Sequence, residues 1–201
     1  MPNVKSIKKT MLEKDIPAEI LTQIDWPKPK GNGPAEVQAL IEQMDILLTH
    51  KQNLSIMSEQ GCGKTGKFYE NSLLFGSIYA DKTIEERIEL LTDTKVHPNV
   101  PCRINDDGTL SVYWEIGEDN NYWCVCASYK RLKKDQPQLG NVSKTYCACC
   151  GGHIRHHYQI MLGVGLKLIE VVSSPISSYG EKRCEFLFEI VAPKPKVEFK
   201  L

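Results

Sequence analysis

One short segment of the sequence gathers many of the side chains that could bind a metal ion or act as nucleophiles. Between Tyr146 and Tyr158 lie three of the eight cysteines and three of the five histidines of the chain. Side chains three and four residues apart on a helix share a face. One such face would carry Cys149, Cys150, His153 and His157. Thiolates and imidazoles bind zinc, and a thiol beside an imidazole is a nucleophile next to a base. The segment therefore predicts a metal site or a reactive thiol.

The position of these cysteines on the helix bears on their reactivity. A helix is predicted from Cys149 to Leu162, because glycines at 163 and 165 end the pattern. Cys149 and Cys150 would then lie in or just before the first turn, where free N–H groups and the helix dipole favour an anion. We expect a lowered thiol pKa there, which makes a better nucleophile and a better metal ligand.

A second group of cysteines precedes this helix. The sequence predicts a strand over Tyr122–Tyr129, whose alternation places Cys124 and Cys126 on one face, roughly 7 Å apart. One of them could meet the helix cysteines across the fold. The helix spacing matches no common zinc-finger arrangement. We favour a functional role for the group Cys147, Cys149, Cys150 and His153. Cys102 and Cys184 are interpreted as buried core residues, since free cysteine often packs as a small apolar side chain.

A glycine-rich peptide resembles part of a phosphate-binding loop. Gly61-Cys62-Gly63-Lys64-Thr65 has the end of that motif, but Ser58 stands where the motif requires glycine. The preceding residues continue a helical pattern rather than a strand. We therefore interpret the peptide as a turn between helices and expect no nucleotide cofactor.

The elements that would position these residues divide the chain into helices followed by mostly strands. A weak helix is predicted within 4–24, broken at Pro17, and an amphipathic helix begins at Ala35. Further helices are predicted over Thr65–Tyr79 and from Thr83, where Glu86 completes a capping box. The remaining predicted elements are a turn at Asp106-Asp107-Gly108, strands Thr109–Ile116 and Tyr122–Tyr129, a loop at 130–145, the helix to Leu162, and strands Leu168–Ser173 and Cys184–Val191.

This order predicts an α+β fold, with N-terminal helices packed on an antiparallel sheet of about four strands and a long helix between the second and third strands. Residues 1–34 are interpreted as an extension with a Pro/Gly-rich linker, 35–192 as one domain and 193–201 as a tail.

Composition narrows the class of protein. Apolar residues make up 41% of the chain and suffice for a core, whereas equal numbers of basic and acidic residues, 25 each, argue against nucleic acid as the partner. No apolar run reaches the length of a membrane span or a secretory signal. We expect a cytoplasmic protein with reduced or metal-bound cysteines, no membrane partner and a small-molecule ligand; a homodimer is compatible with the sequence.

The C-terminal third resembles the 4-vinyl-reductase-type ligand-binding domain and the family of 2-aminothiazoline-4-carboxylate hydrolase. The likeness covers about 45 residues, 147–190, and consists of Cys149-Cys150-Gly151 opening a helix, Gly163 and Gly165 ending it, a strand, and Gly180 to Phe186. The resemblance implies a small-molecule pocket between helix and sheet.

It also implies a zinc site to which Cys150 and Cys184 correspond. The turn from Ser173 to Ser178 lacks the acidic and thiol ligands of that site. The site is either lost, or it is rebuilt with Cys126, Cys147 or His153.

Three functions follow as hypotheses. The first is a small-molecule-binding protein with a cysteine and histidine site that holds zinc or iron. The second is a hydrolase of a small C–N or thio-containing substrate, with Cys149 or Cys150 as nucleophile or metal ligand and His153 or His157 as general base. The third is a sensor of redox state or metal whose neighbouring thiols change state.

Overall fold

The predicted α+β class is confirmed by a computed structural model, which describes residues 2–27, 33–94, 96–97, 100–118, 121–135 and 142–191. The helices are α1 (Val4–Glu13), α2 (Ala18–Leu21), α3 (Pro34–Leu47), α4 (His50–Ser58), α5 (Lys67–Ile78), α6 (Ile84–Thr94), α7 (Ala127–Asp135) and α8 (Lys144–Leu162). The strands are β1 (Cys102–Ile104), β2 (Leu110–Trp114), β3 (Gly117–Glu118), β4 (Asn121–Tyr122), β5 (Gly165–Ser173) and β6 (Cys184–Val191). The predicted tail at 193–201 and most of the predicted linker lie outside the described residues.

The N-terminal helices follow the apolar pattern of the sequence. Helix α3 buries Val37, Leu40, Ile41 and Met44 completely, as its helical spacing predicts. Proline 17 separates α1 from α2, which is the predicted break. Helix α1 also contributes fully buried side chains to the same core, so this helix is packed against the rest of the described protein. In the described part of the chain, every helix is too short or too polar to cross a membrane.

The sheet is antiparallel and has the strand order β1-β2-β6-β5. Helix α8 connects its second and third strands in the chain, as predicted, and packs against β5. The register places Trp114 of β2 opposite Cys184 of β6. Cys184, Phe186 and Phe188 are buried, which confirms the interpretation of that strand face as core.

The predicted strand Tyr122–Tyr129 is wrong after its first residue. Strand β4 ends at Tyr122 and α7 begins at Ala127, because the segment is rich in good helix formers and buries Leu132 completely. The predicted loop at 130–145 is wrong for the same reason, since it includes most of α7 and the first residues of α8.

Two short antiparallel pairs, β1–β2 and β3–β4, lie on either side of Trp114. The predicted turn at Asp106-Asp107-Gly108 is confirmed, but it connects β2 to the short strand β1 that precedes it. Strand β1 was not predicted. It has only three residues, too few to show an alternating pattern, and it is defined by its pairing with β2.

Candidate functional site

Helix α8 carries most of the predicted site residues and lies very close to its neighbours. A Cβ atom on Gly152 would be 1.8 Å from the carbonyl oxygen of Ser58 in α4. On the sheet side, a Cβ atom on Gly151 would be 2.7 Å from a methyl carbon of Leu168 in β5. These two glycines follow Cys149 and Cys150 directly. The backbone that bears the two thiols is therefore fixed by contacts on both sides.

Helix α8 begins earlier than predicted. Its N-cap is Ser143, whose hydroxyl oxygen accepts a hydrogen bond from the N–H of Thr145. Cys149 and Cys150 therefore lie in the second turn, away from the free N–H groups of the helix N-terminus. The prediction that their thiols have lowered pKa values is wrong. Interaction with the Cys126 sulfur, together with burial, raises the pKa of both.

Six cysteine side chains from three parts of the chain lie close enough to influence the ionisation of one another. We call them the thiol cluster: Cys124, Cys126, Cys147, Cys149, Cys150 and Cys184. They come from the segment before α7, from α8 and from the first residue of β6. The expectation that a cysteine of the 122–129 segment meets the helix cysteines is confirmed, although the predicted strand geometry is wrong.

The centre of the thiol cluster is Cys126. Its sulfur is close enough to the thiols of Cys124, Cys149 and Cys150 for them to lower the pKa of Cys126. The N–H of Tyr129 also donates to this sulfur, because Cys126 stands at the N-terminus of α7. The helix-end effect expected for Cys149 and Cys150 thus acts on Cys126. The contact with the Cys126 sulfur raises the pKa of Cys124.

The remaining two members lie on the sheet side of the cluster. Burial raises the pKa of Cys147 to about 12, although its thiol also hydrogen-bonds with Ser174. Burial likewise raises the pKa of Cys184. Both are therefore neutral thiols at physiological pH. Cys102 lies outside the thiol cluster, and burial raises its pKa to about 12.

The predicted site histidines belong to a second group, made of rings. We call it the ring cluster: Phe68, Tyr69, His97, Trp114, His153, His156 and His157. The rings of His153 and His157 are 4.7 Å apart, so the two do share a helix face as predicted. Phe68 contacts both histidines.

The histidines bind the loop that follows α4. The Nδ1 atom of His153 is 2.6 Å from the carbonyl oxygen of Cys62, and the Nε2 atom of His157 is 2.9 Å from that of Gly63. The glycine-rich peptide 61–65 follows a helix, as predicted, and its carbonyl groups accept hydrogen bonds from imidazoles. His153 and His157 are thus engaged with the loop, whereas the Cys149 and Cys150 thiols interact with Cys126.

Several residues of the site were not among the predicted ones. Cys124 was noticed only for its place beside Cys126, and Phe68, Ser72 and Trp114 were not predicted as site residues. The C-x-C spacing of Cys124 and Cys126 is a signal that could have identified the first. Trp114 reaches the ring cluster through strand pairing, and nothing in its local sequence indicates that.

Within the described ranges, no three His, Cys, Asp or Glu side chains are already arranged around one point at which a metal ion could be held. The donor type nevertheless fits a thiophilic ion, since the thiols of Cys124, Cys149 and Cys150 are close enough to Cys126 to change its pKa. Comparisons with protein-family models, with curated proteins and with solved structures found no match for this chain. The family resemblance therefore stays a prediction.

Proposed function

We propose that the chain binds one thiophilic metal ion, zinc or iron, at the thiol cluster, with Cys124, Cys126, Cys149 and Cys150 as its ligands. The observation that carries the proposal is the closeness of three other thiols to Cys126, whose pKa they change and whose N–H donates to the Cys124 sulfur at 3.4 Å. Four sulfur atoms from two distant segments are the number that a structural zinc site uses. A metal ion would replace the shared protons, because bound cysteines are thiolates.

Metal binding would require the cysteine side chains of the proposed site to reorient. Among the described residues, no three thiols already surround one point, whereas the ligands of a tetrahedral site are directed at a common centre. Cysteine has one side-chain torsion between the backbone and its sulfur, so rotation at these residues is the change required. The rigid backbone at Gly151 and Gly152 keeps two of the four within reach of that centre.

Reduced thiols in this number require a reducing compartment, and the proposal therefore includes a cytoplasmic location. Cys147, Cys184 and His153 were predicted as metal ligands as well. In the proposed site, Cys147 and Cys184 are neutral thiols beside the metal. His153 is not a ligand of this site and belongs to the ring cluster.

The hydrolase hypothesis has less support from the geometry. It needs a thiol paired with a histidine base, but His153 and His157 hydrogen-bond with the loop carbonyls of Cys62 and Gly63. The sensor hypothesis is supported by one specific observation, the contact of the Cys126 sulfur with three other thiols. An oxidant such as peroxide could convert two of these thiols to a disulfide, with release of two protons and two electrons.

The experiment that tests the proposal is metal analysis by mass spectrometry of protein purified anaerobically, together with a count of reactive thiols in the native state. We expect close to one zinc or iron ion per chain and protection of the four ligand thiols. The variant Cys126→Ser should lose the metal, and Cys102→Ser should keep it, because Cys102 is a half-buried cysteine outside the thiol cluster. A metal-free wild type would overturn the proposal, and disulfide formation at Cys126 in that protein would favour the sensor.

A further inference from the structure

His153 differs from the other described histidines of α8 in how its two ring nitrogens are used. Its Nδ1 lies 2.6 Å from the carbonyl oxygen of Cys62. A carbonyl only accepts hydrogen bonds, so Nδ1 must carry the proton. In the neutral imidazole the lone pair is then on Nε2. The side chain is partly exposed, and in the described part of the chain Nε2 has no hydrogen-bond partner.

His157, one turn further along α8, has both nitrogens occupied. Its Nε2 donates to the carbonyl oxygen of Gly63 at 2.9 Å, and its Nδ1 lies 3.1 Å from the hydroxyl of Ser72. The side chain is completely buried. Burial is also the main reason that the pKa of His157 falls to about 3. His157 therefore binds the loop at Gly63, and neither of its ring nitrogens is available to a ligand.

Two glycines allow the loop to lie against His153. A Cβ atom on Gly61 would be 2.6 Å from the backbone nitrogen of His153, and one on Gly63 would be 2.8 Å from Cε1 of its ring. Gly63 also has a φ of +68°, which L side chains rarely adopt. The peptide that resembled a phosphate-binding loop thus positions the Cys62 carbonyl oxygen next to Nδ1 of His153.

Aromatic rings fix the plane of the imidazole. Trp114 and Phe68 each lie with their ring centres 5.9 Å from that of His153, at interplanar angles of 14° and 23°. These rings lie beside the imidazole, offset from its faces. With Nδ1 bonded to the loop, Nε2 is the ring nitrogen left for a ligand. Burial lowers the pKa of His153, which keeps this edge unprotonated at neutral pH.

We infer that His153 is a ligand-binding residue, whose Nε2 accepts a hydrogen bond from an N–H or O–H group of an uncharged small molecule. An unprotonated Nε2 has only a lone pair to offer, so a carboxylate, which has no proton to donate, cannot form this hydrogen bond. The inference goes beyond metal binding and does not depend on it. No thiol is involved in the contacts that orient His153.

Diethyl pyrocarbonate acylates the unprotonated nitrogen of imidazole, so it reports which histidine has an accessible lone pair. In the full-length native protein we expect His153 to be modified and His157 to react only after unfolding in urea, with sites identified by peptide mass spectrometry. Phenol, a flat and neutral O–H donor, should slow the modification of His153. Benzoate, which has a similar size but a negative charge, should not. Resistance of native His153 to the reagent, or equal protection by the two compounds, would overturn the inference.

A matched pair of variants tests the role of the loop. Gly63→Ala and Gly66→Ala both place a side chain at a positive φ, but a Cβ atom on Gly66 would meet nothing within 4 Å. We expect Gly63→Ala to remove the fixed Nδ1–H tautomer of His153, as seen in long-range nitrogen–proton NMR spectra, and to abolish the protection by phenol. Gly66→Ala should preserve both. A folded Gly63→Ala variant that keeps the tautomer and the protection would contradict the assignment of the loop.

Discussion

The thiols of Cys126 and Cys149 lie close enough to change the pKa of each other although helix α7 lies between them in the chain. This contact links the segment before α7 to the middle of α8. It combines two different local environments, a helix N-terminus at Cys126 and a buried second turn at Cys149. A thiolate is favoured at the first and disfavoured at the second. The cluster can therefore share its protons unequally, which prepares one sulfur to bind first.

If the thiol cluster holds a metal ion, removal of the ion should lower the thermal stability. A ligand that binds only the folded chain stabilises it by about 2.7 kcal/mol at a free concentration 100 times its Kd. We expect a chelator to lower the Tm of metal-loaded wild type and to leave the Tm of Cys126→Ser unchanged. Calorimetry with and without chelator measures this. A chelator effect of equal size in both proteins would assign the metal to another site.

The sequence identified many residues of the site, but it did not predict which side chains surround each of them. The helical face of His153 and His157 follows from spacing alone, and the rings are in contact. The predicted lowering of the Cys149 pKa was wrong because α8 begins earlier than expected. Its start depends on one N-cap residue, Ser143, which lies in the segment that we predicted as a loop. The place of Cys126 could not be deduced, because Ala127–Asp135 forms a helix whose stability depends on burial of Leu132.

Because α4 and α8 are in close contact, we expect the single methyl group added by Gly152→Ala to lower the stability of the protein strongly. Gly152→Ala would place a Cβ atom 1.8 Å from the Ser58 carbonyl oxygen, a backbone atom that cannot move alone. We expect a loss of about 3 kcal/mol in the free energy of unfolding, the upper part of the range for overpacked cores. The control is Gly108→Ala, where only a positive φ is at stake and the cost should be about 1 kcal/mol. Urea denaturation measures both, and equal losses would refute the close packing.

Arg87 predicts a second stability effect, at the other end of α8. The guanidinium is buried and donates to the carbonyl oxygens of Met161, Ala80 and Lys82. Because the carbonyls of Met161 and Ala80 lie at or just after the C-termini of α8 and α5, a cation there is favourable. Arg87→Met should lower the free energy of unfolding by about 3 kcal/mol, since it leaves buried acceptors without donors. The exposed Arg103 provides the control, as Arg103→Met should change stability little. Similar chemical denaturation midpoints for the two variants would contradict this role.

The buried His157 predicts a specific dependence of stability on pH. Its pKa is about 3 in the folded chain, mainly because of burial, against 6.5 for an ordinary histidine. Between these two values the unfolded chain binds a proton that the folded chain does not, so stability falls as the pH is lowered from 6.5 toward 3. One such proton contributes a slope of about 1.4 kcal/mol per pH unit. His157→Gln should reduce the slope of unfolding free energy against pH in urea titrations between pH 4 and 6, whatever its effect on stability at pH 7. The exposed His50 is the matched control, and His50→Gln should leave the slope as in wild type. An unchanged slope in His157→Gln would show that this imidazole is not kept neutral by the fold.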